Sequence, residues 1–251
     1  MFGNYTRRTR GLYDSSSSEP FVISRSKIDL FTSCQRCFYL DQRLGIKRPD
    51  SFPFTLNNAV DLLLKKEFDI HRSHKSVHPL LKQYGVDAVP FQHEELELWR
   101  DALRHGVKYL YKPTNFLVRG GIDDVWVDKD GKLIVVDYKA TSKDTEVTID
   151  ADWQNAYKRQ VEVYQWLFRQ NGFRVSPTAY FVYVNAKRDR EAFDGKLEFD
   201  VNLIPYEGDD SWIPGILGDI KKCLNGDSIP AASQSCDYCA YRRTALDFES
   251  K

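Results

Sequence analysis

No apolar run in the chain approaches the ~20 residues that span a bilayer, so no membrane partner is expected. Net charge is also missing: 36 Lys and Arg offset 36 Asp and Glu, which removes any whole-molecule electrostatic case for nucleic acid. Basic patches remain only locally, at Arg7, Arg8 and Arg10, at Lys187, Arg188 and Arg190, and at Arg242 with Arg243. Each is ordinarily a solvated surface. The opening stretch "MFGNYTRRTRGLYDSSSSEP" has no apolar segment suited to a signal peptide. Secretion is therefore not expected, and a cytoplasmic protein is. No internal repeat points to a solenoid.

What is present can build a full-sized core: 251 residues, 42% hydrophobic and 14% aromatic. Residues 1–21 read as a basic, serine-rich disordered arm, and 22–251 as one α/β domain. Ser26 can cap a helix over Lys27–Leu40, and further helices are expected at Asn57–Phe68, Glu94–Leu110 and Asn155–Gln170. A strand is expected at Thr178–Ala186 and a helix over "WIPGILGDIKKCLNG", ended by Gly226. Central pairing is expected to be mostly antiparallel.

The chemistry gathers in "GGIDDVWVDKDGKLIVVDYKAT", residues 120–141. "DKDGK" is turn chemistry between two apolar runs. A three-residue loop with Gly131 in the left-handed conformation sets Asp123 opposite Asp137, whereas a two-residue loop sets Asp124 there. Because side chains alternate along a strand, Asp137 and Lys139 share one face and Tyr138 takes the other. Two close carboxylates repel unless a cation neutralises them, and hard oxygen donors with water positions suit Mg²⁺ or Mn²⁺. A neighbouring lysine can orient or deprotonate a water and offset phosphate charge. The bland alternative is a surface ion pair between Asp137 and Lys139. Of the adjacent acids, Asp124 should face the other side of the sheet and hold at most a local ion pair.

Gly120 with Asp123, Asp137 with Lys139, and Gln160 with Tyr164 in "QVEVYQWL" occur in the order and spacing of the PD-(D/E)XK nuclease superfamily. The pattern most resembles the RecB-like branch. That resemblance implies a restriction-endonuclease-like core, a central mixed β-sheet flanked by helices. It implies a Mg²⁺- or Mn²⁺-dependent nuclease acting on DNA, with room for a protein partner in DNA processing. The alternative is an inactive module of the same fold that binds nucleic acid or scaffolds a partner. In the active reading Asp123 and Asp137 hold the metal, the Tyr138 carbonyl adds a ligand, Lys139 acts on the water, and Gln160 and Tyr164 face the cleft one helical turn apart. Relatives often carry a metal-binding histidine on an earlier helix. Here "NNAVDLLL" places Asp61 there, and a carboxylate suits Mg²⁺ at least as well as imidazole. An ordinary pairing of Asp61 with Lys65 four residues on is the competing reading.

Two C-x-x-C pairs form the second constellation: Cys34 and Cys37, expected on one helix face, and Cys236 and Cys239 in the tail. In a reducing compartment such pairs indicate metal more than disulfides. Four thiolates can hold zinc or an iron-sulfur cluster. The resemblance favours a 4Fe-4S cluster joining N- and C-terminal cysteines, as in CRISPR-adaptation and AddB-type members, with zinc and unligated cysteines as alternatives. That family pattern ends in a further C-terminal cysteine where this chain has Ala245, which leaves Cys37 to replace it. Cys223 reads as a small core residue. His71, His74 and His78 read as exposed linker histidines.

Overall fold

The computed structural model describes residues 7–50 and 55–250. The chain divides into two compact units: Met1–Phe52 with Leu110–Val118 and Ser211–Lys251, and Pro53–Tyr109 with Arg119–Asp210.

The second unit is organised around a five-stranded sheet. Its strands are β2 (Ala88–Pro90), β5 (Asp124–Asp128), β6 (Leu133–Thr141), β7 (Thr178–Ala186) and β8 (Phe199–Glu207), in spatial order β2-β5-β6-β7-β8. β6 and β7 run parallel and every other pair antiparallel, which makes the sheet mixed, with its one parallel pair near the centre. That parallel pair needs a crossover, and α6 (Asn155–Gln170) supplies it. On one face, α3 (Thr55–Ser73) and α4 (Pro79–Gln83) contribute Phe68, Leu80 and Leu81 to a cluster with Trp126, Ile134, Val136, Tyr138, Val182 and Val184. The α/β arrangement of a central mixed sheet packed by helices is the one expected.

The β5–β6 hairpin closes as a three-residue loop. Asp128 N–H donates to the Lys132 carbonyl at 3.0 Å, and Gly131 has φ +74°. The register pairs Asp124 with Val136 and Val125 with Val135, so that one residue further on Asp123 lies opposite Asp137.

α6 and β7 occupy the expected spans, and α7 (Ile213–Asn225) lies in its predicted segment. The helix expected over Glu94–Leu110 is instead a short α5 (Leu96–Arg100) followed by β3 (Val107–Tyr111). The Asp101 carboxylate accepts the backbone N–H groups of Leu103 and Arg104 at 3.1 and 3.0 Å, competing with helical bonding. Gly106 then turns the chain at φ +77°, where a Cβ would lie 2.6 Å from the Gly120 carbonyl oxygen.

In the first unit, the helix expected over Lys27–Leu40 is two helices, α1 (Arg25–Ser33) and α2 (Gln35–Gln42). Ser24, not Ser26, stands at the N-cap position of α1. Cys34 breaks the pair with extended backbone, φ −163° and ψ 105°, so Cys34 and Cys37 do not share a continuous helix. The tail forms α8 (Asp237–Glu249), which buries none of its residues. β1 (Phe21–Ser24) belongs to a three-stranded sheet in the order β1-β4-β3, where β4 is Phe116–Gly120. Of the expected disordered arm, residues 1–6 lie outside the described residues. The following residues are tethered: Arg8 N–H donates to the Gly45 carbonyl at 2.8 Å, and Tyr13, 4% exposed, packs edge-on against Phe21 and Phe116. A serine-rich composition hid that aromatic anchor.

Candidate active site and cysteine centre

Asp137 projects from β6 and is completely buried. Lys139, two residues on, forms an ion pair with it, and its side chain is 14% exposed. A surface ion pair is thereby ruled out. Burial would lower the Lys139 pKa, but the charges of Asp137 and Asp123 outweigh it and hold the ammonium above its ordinary value. The ammonium also lies 4.5 Å from the centre of the Tyr157 ring. Across the hairpin, Asp123 Oδ2 accepts the Tyr138 N–H at 2.9 Å. Its other oxygen lies 3.7 Å from Lys65 Nζ.

Lys65 brings Asp61 into the same neighbourhood, since its ammonium bonds Asp61 Oδ2 at 2.8 Å. Burial first, then repulsion from Asp123, raise the Asp61 pKa against the opposing pull of Lys65. Both readings of Asp61 thus describe one arrangement, in which the local ion pair also reaches the hairpin acid. Gln160 donates to the Tyr164 hydroxyl at 3.1 Å on α6, and Tyr164 adds to the electrostatic surroundings of Lys139. Asp61, Lys65, Asp123, Asp137 and Lys139 therefore form a continuous set. Its carboxylates are hard oxygen donors of the kind that suit a divalent cation. Lys65 and Tyr157 were missed as site neighbours. Tyr157 lies seven residues before Tyr164, a helical spacing that could have placed it on the same face. Lys65 could be read only as the local partner of Asp61.

The opposite face corrects the expectation for Asp124. This side chain is completely buried and holds far more than a local ion pair. It pairs with Arg72 from α3 and, at 3.1 Å, with Arg100 from α5. It also accepts the Tyr138 hydroxyl at 2.8 Å and its neighbour's N–H, from Val125, at 2.9 Å. Arg100 forks onto both oxygens of Asp69, at 2.9 and 3.0 Å, and Arg72 Nε donates to the Phe91 carbonyl at 2.7 Å. Burial opposes the charge on Arg100, but Asp69 and Asp124 hold its pKa above the ordinary value. Burial and the Asp124 charge likewise push the Tyr138 hydroxyl well up. A charge this deeply buried is tolerated because it is paired and its hydrogen bonds are made.

Of the linker histidines, His74 is exposed as expected and His78 is structural. His78, expected to be exposed, is buried, stacks on Phe68 with ring centres 4.0 Å apart, and accepts the Leu80 N–H at the start of α4. Burial depresses its pKa.

In the first unit, four thiols meet. Cys37 Sγ lies 3.6 Å from Cys236 and 3.5 Å from Cys239, and Cys34 Sγ lies 3.9 Å from Cys239. All four sulfurs fall within 4.8 Å of one another, the only such cluster of potential metal ligands found among the described residues. The break at Cys34 makes this possible by turning its side chain out of the α1 path. Arg48 donates to Cys236 Sγ at 3.2 Å. Burial raises the Cys34 pKa, but backbone N–H groups of Ser233 and Cys37 and the neighbouring thiols outweigh it and bring it down to about 6. The cluster suits a metal ion or an iron-sulfur group. Cys223, half-buried, stays outside it.

The sequence profile of the PD-(D/E)XK nuclease superfamily matches residues 22–244. A solved structure described as the crystal structure of SSO0001 is similar at 15% identity and a TM-score of 0.41, over 91% of this chain and 87% of that one. No curated protein matches.

Proposed function

The chain belongs to the PD-(D/E)XK nuclease superfamily, and from that premise we propose that it is a DNA nuclease that hydrolyses phosphodiester bonds with Mg²⁺ or Mn²⁺. The observation that carries the reading is the juxtaposition of Asp123 and Asp137 across the hairpin with Lys139 on the same strand face. Asp123, Asp137 and the Tyr138 carbonyl would hold the cation, with Asp61 as the fourth donor. Such an ion supplies positive charge to the phosphate and lowers the pKa of its bound water.

The chain's own groups do the remaining work. Asp137 and the Tyr157 ring hold Lys139 from two sides, so its ammonium is positioned to orient the attacking water and to offset charge on the phosphate. The Gln160–Tyr164 pair stands on α6, where Gln160 donates to the tyrosine hydroxyl, and would face the cleft. Lys65 restrains Asp61 and Asp123 by neutralising part of their mutual repulsion. A protein partner in DNA processing fits this activity.

The thiol separations favour the zinc alternative. Four thiolates around one tetrahedral ion at a Zn–S distance of about 2.3 Å lie about 3.8 Å apart, close to the separations of 3.5, 3.6 and 3.9 Å in three of the six pairs, with all four sulfurs within 4.8 Å. A 4Fe-4S cluster holds each thiolate on a different iron and spreads them further. Metal analysis of anaerobically purified protein decides it: colourless protein with one zinc per chain supports this reading, and brown protein containing iron supports the cluster.

The nuclease reading is tested by incubating purified protein with labelled single- and double-stranded DNA. Cleavage is expected with Mg²⁺ or Mn²⁺, not without added metal, and not with Asp137→Ala. Identical behaviour of wild type and Asp137→Ala on every substrate would leave the chain a binding module that kept the fold.

A further inference from the structure

Trp153 is the exposed tryptophan of the second unit. It is 56% exposed, whereas Trp99, Trp126 and Trp166 are buried. An indole left in water is uncommon, because burying it is strongly favourable. Its exposure is built in by its neighbours. Trp153 occupies a short 3-10 turn, Asp152–Gln154, that leads into α6. The next side chain, Gln154, is completely buried and donates to the Thr148 carbonyl at 2.6 Å while accepting the Ala151 N–H at 3.0 Å. That anchor fixes the turn and leaves the indole outside.

The indole also ends a row that starts at the reacting lysine. Trp153 meets Tyr157 edge-on with ring centres 5.5 Å apart, and Tyr157 carries Lys139 4.5 Å from its ring centre. On the outer side Lys143 Nζ lies 5.4 Å from the Trp153 ring. The Lys143 backbone is clamped by Asn185, whose amide accepts its N–H at 2.8 Å and donates to its carbonyl at 3.0 Å. An exposed aromatic face with a cation beside it is the pairing that holds an unstacked base and its phosphate.

We infer that Trp153 and Lys143 form a platform for an unpaired DNA strand, stacking a base next to the phosphate that reaches Lys139. This rests on the nuclease reading and narrows it to single strands or frayed ends, since a base inside a duplex offers no free face to an indole.

The test is binding without added metal to a twelve-residue oligothymidylate, to a blunt duplex and to the matching RNA strand, read by anisotropy and by tryptophan fluorescence. Wild type should bind the DNA single strand with quenching. Trp153→Ala should abolish most of the quenching and weaken single-strand binding about 5- to 150-fold, with duplex binding unchanged. Trp153→Phe should recover part of the affinity, and Lys143→Ala should weaken single-strand binding with a shallower salt dependence. Equal single-strand affinity in wild type and Trp153→Ala overturns the proposal, as does equal loss on single strand and duplex. Preference of the platform for RNA over DNA also overturns it. Failure of the nuclease reading is separable: Trp153-dependent binding without any metal-dependent cleavage would leave the platform and remove the enzyme.

Discussion

Asp123 and Asp124 are adjacent and chemically identical, yet the hairpin gives them opposite surroundings. Asp123 is 23% exposed at its side chain and shares Lys65 with Asp61. Asp124 is sealed beneath Arg72, Arg100 and the Tyr138 hydroxyl. The same split runs along β6, where Asp137 and Lys139 face one side and Tyr138 the other. In the proposed nuclease, one face would offer carboxylates to a cation and a phosphate. The other spends an equal charge on joining α3 and α5 to the sheet. A strand's two-residue period thus separates chemistry from stability within two consecutive residues.

The sharpest challenge to this division is Lys139→Ala. It should lower the cleavage rate per folded molecule about 10²–10⁴-fold, the usual span for a positioned group acting on proton and charge in the transition state, and should also lower the unfolding midpoint, because it removes the ion-pair partner of the buried Asp137. An unchanged rate per folded molecule would break the comparison. The converse is Arg100→Ala, which leaves Asp124 and Asp69 underpaired. Breaking a buried pair from one side costs about 3–5 kcal/mol, so denaturant unfolding should shift by that amount while the rate per folded molecule is retained. Tyr138→Phe is milder. It removes the one hydroxyl bonded to Asp124 and should cost about 1–3 kcal/mol, with the backbone near Asp123 unaltered and cleavage preserved.

The hairpin was legible because its information is local: "DKDGK" marked the turn, and although it left a two- or a three-residue loop open, Gly131 in the left-handed position and the Gly120–Asp123 spacing both pointed to Asp123. The helix Asn155–Gln170 and the strand Thr178–Ala186 were legible for the same reason. The role of Asp124 was not, since its cationic partners lie 52 and 24 residues upstream and no period connects them to it. Lys65 was visible as a neighbour of Asp61, but its reach to Asp123 is a tertiary fact. The helix expected through Leu110 failed where Asp101 captured backbone N–H groups and Gly106 turned left-handed, both of which an apolar count passes over. Likewise Cys34 carries no helix-breaking signal, although its extended backbone is what lets the two cysteine pairs meet.

The measurement that bears most directly on the account is a side-by-side comparison of Asp123→Asn and Asp124→Asn, with cleavage rate in Mg²⁺ and unfolding midpoint recorded for each. Asp123→Asn should lose metal-dependent cleavage and keep its midpoint, because a neutral amide cannot replace the carboxylate on a divalent ion. Asp124→Asn should keep its rate per folded molecule and lose about 3–5 kcal/mol of stability. The reverse pattern, with Asp124→Asn inactive but stable and Asp123→Asn active, would contradict the assignment of the two faces.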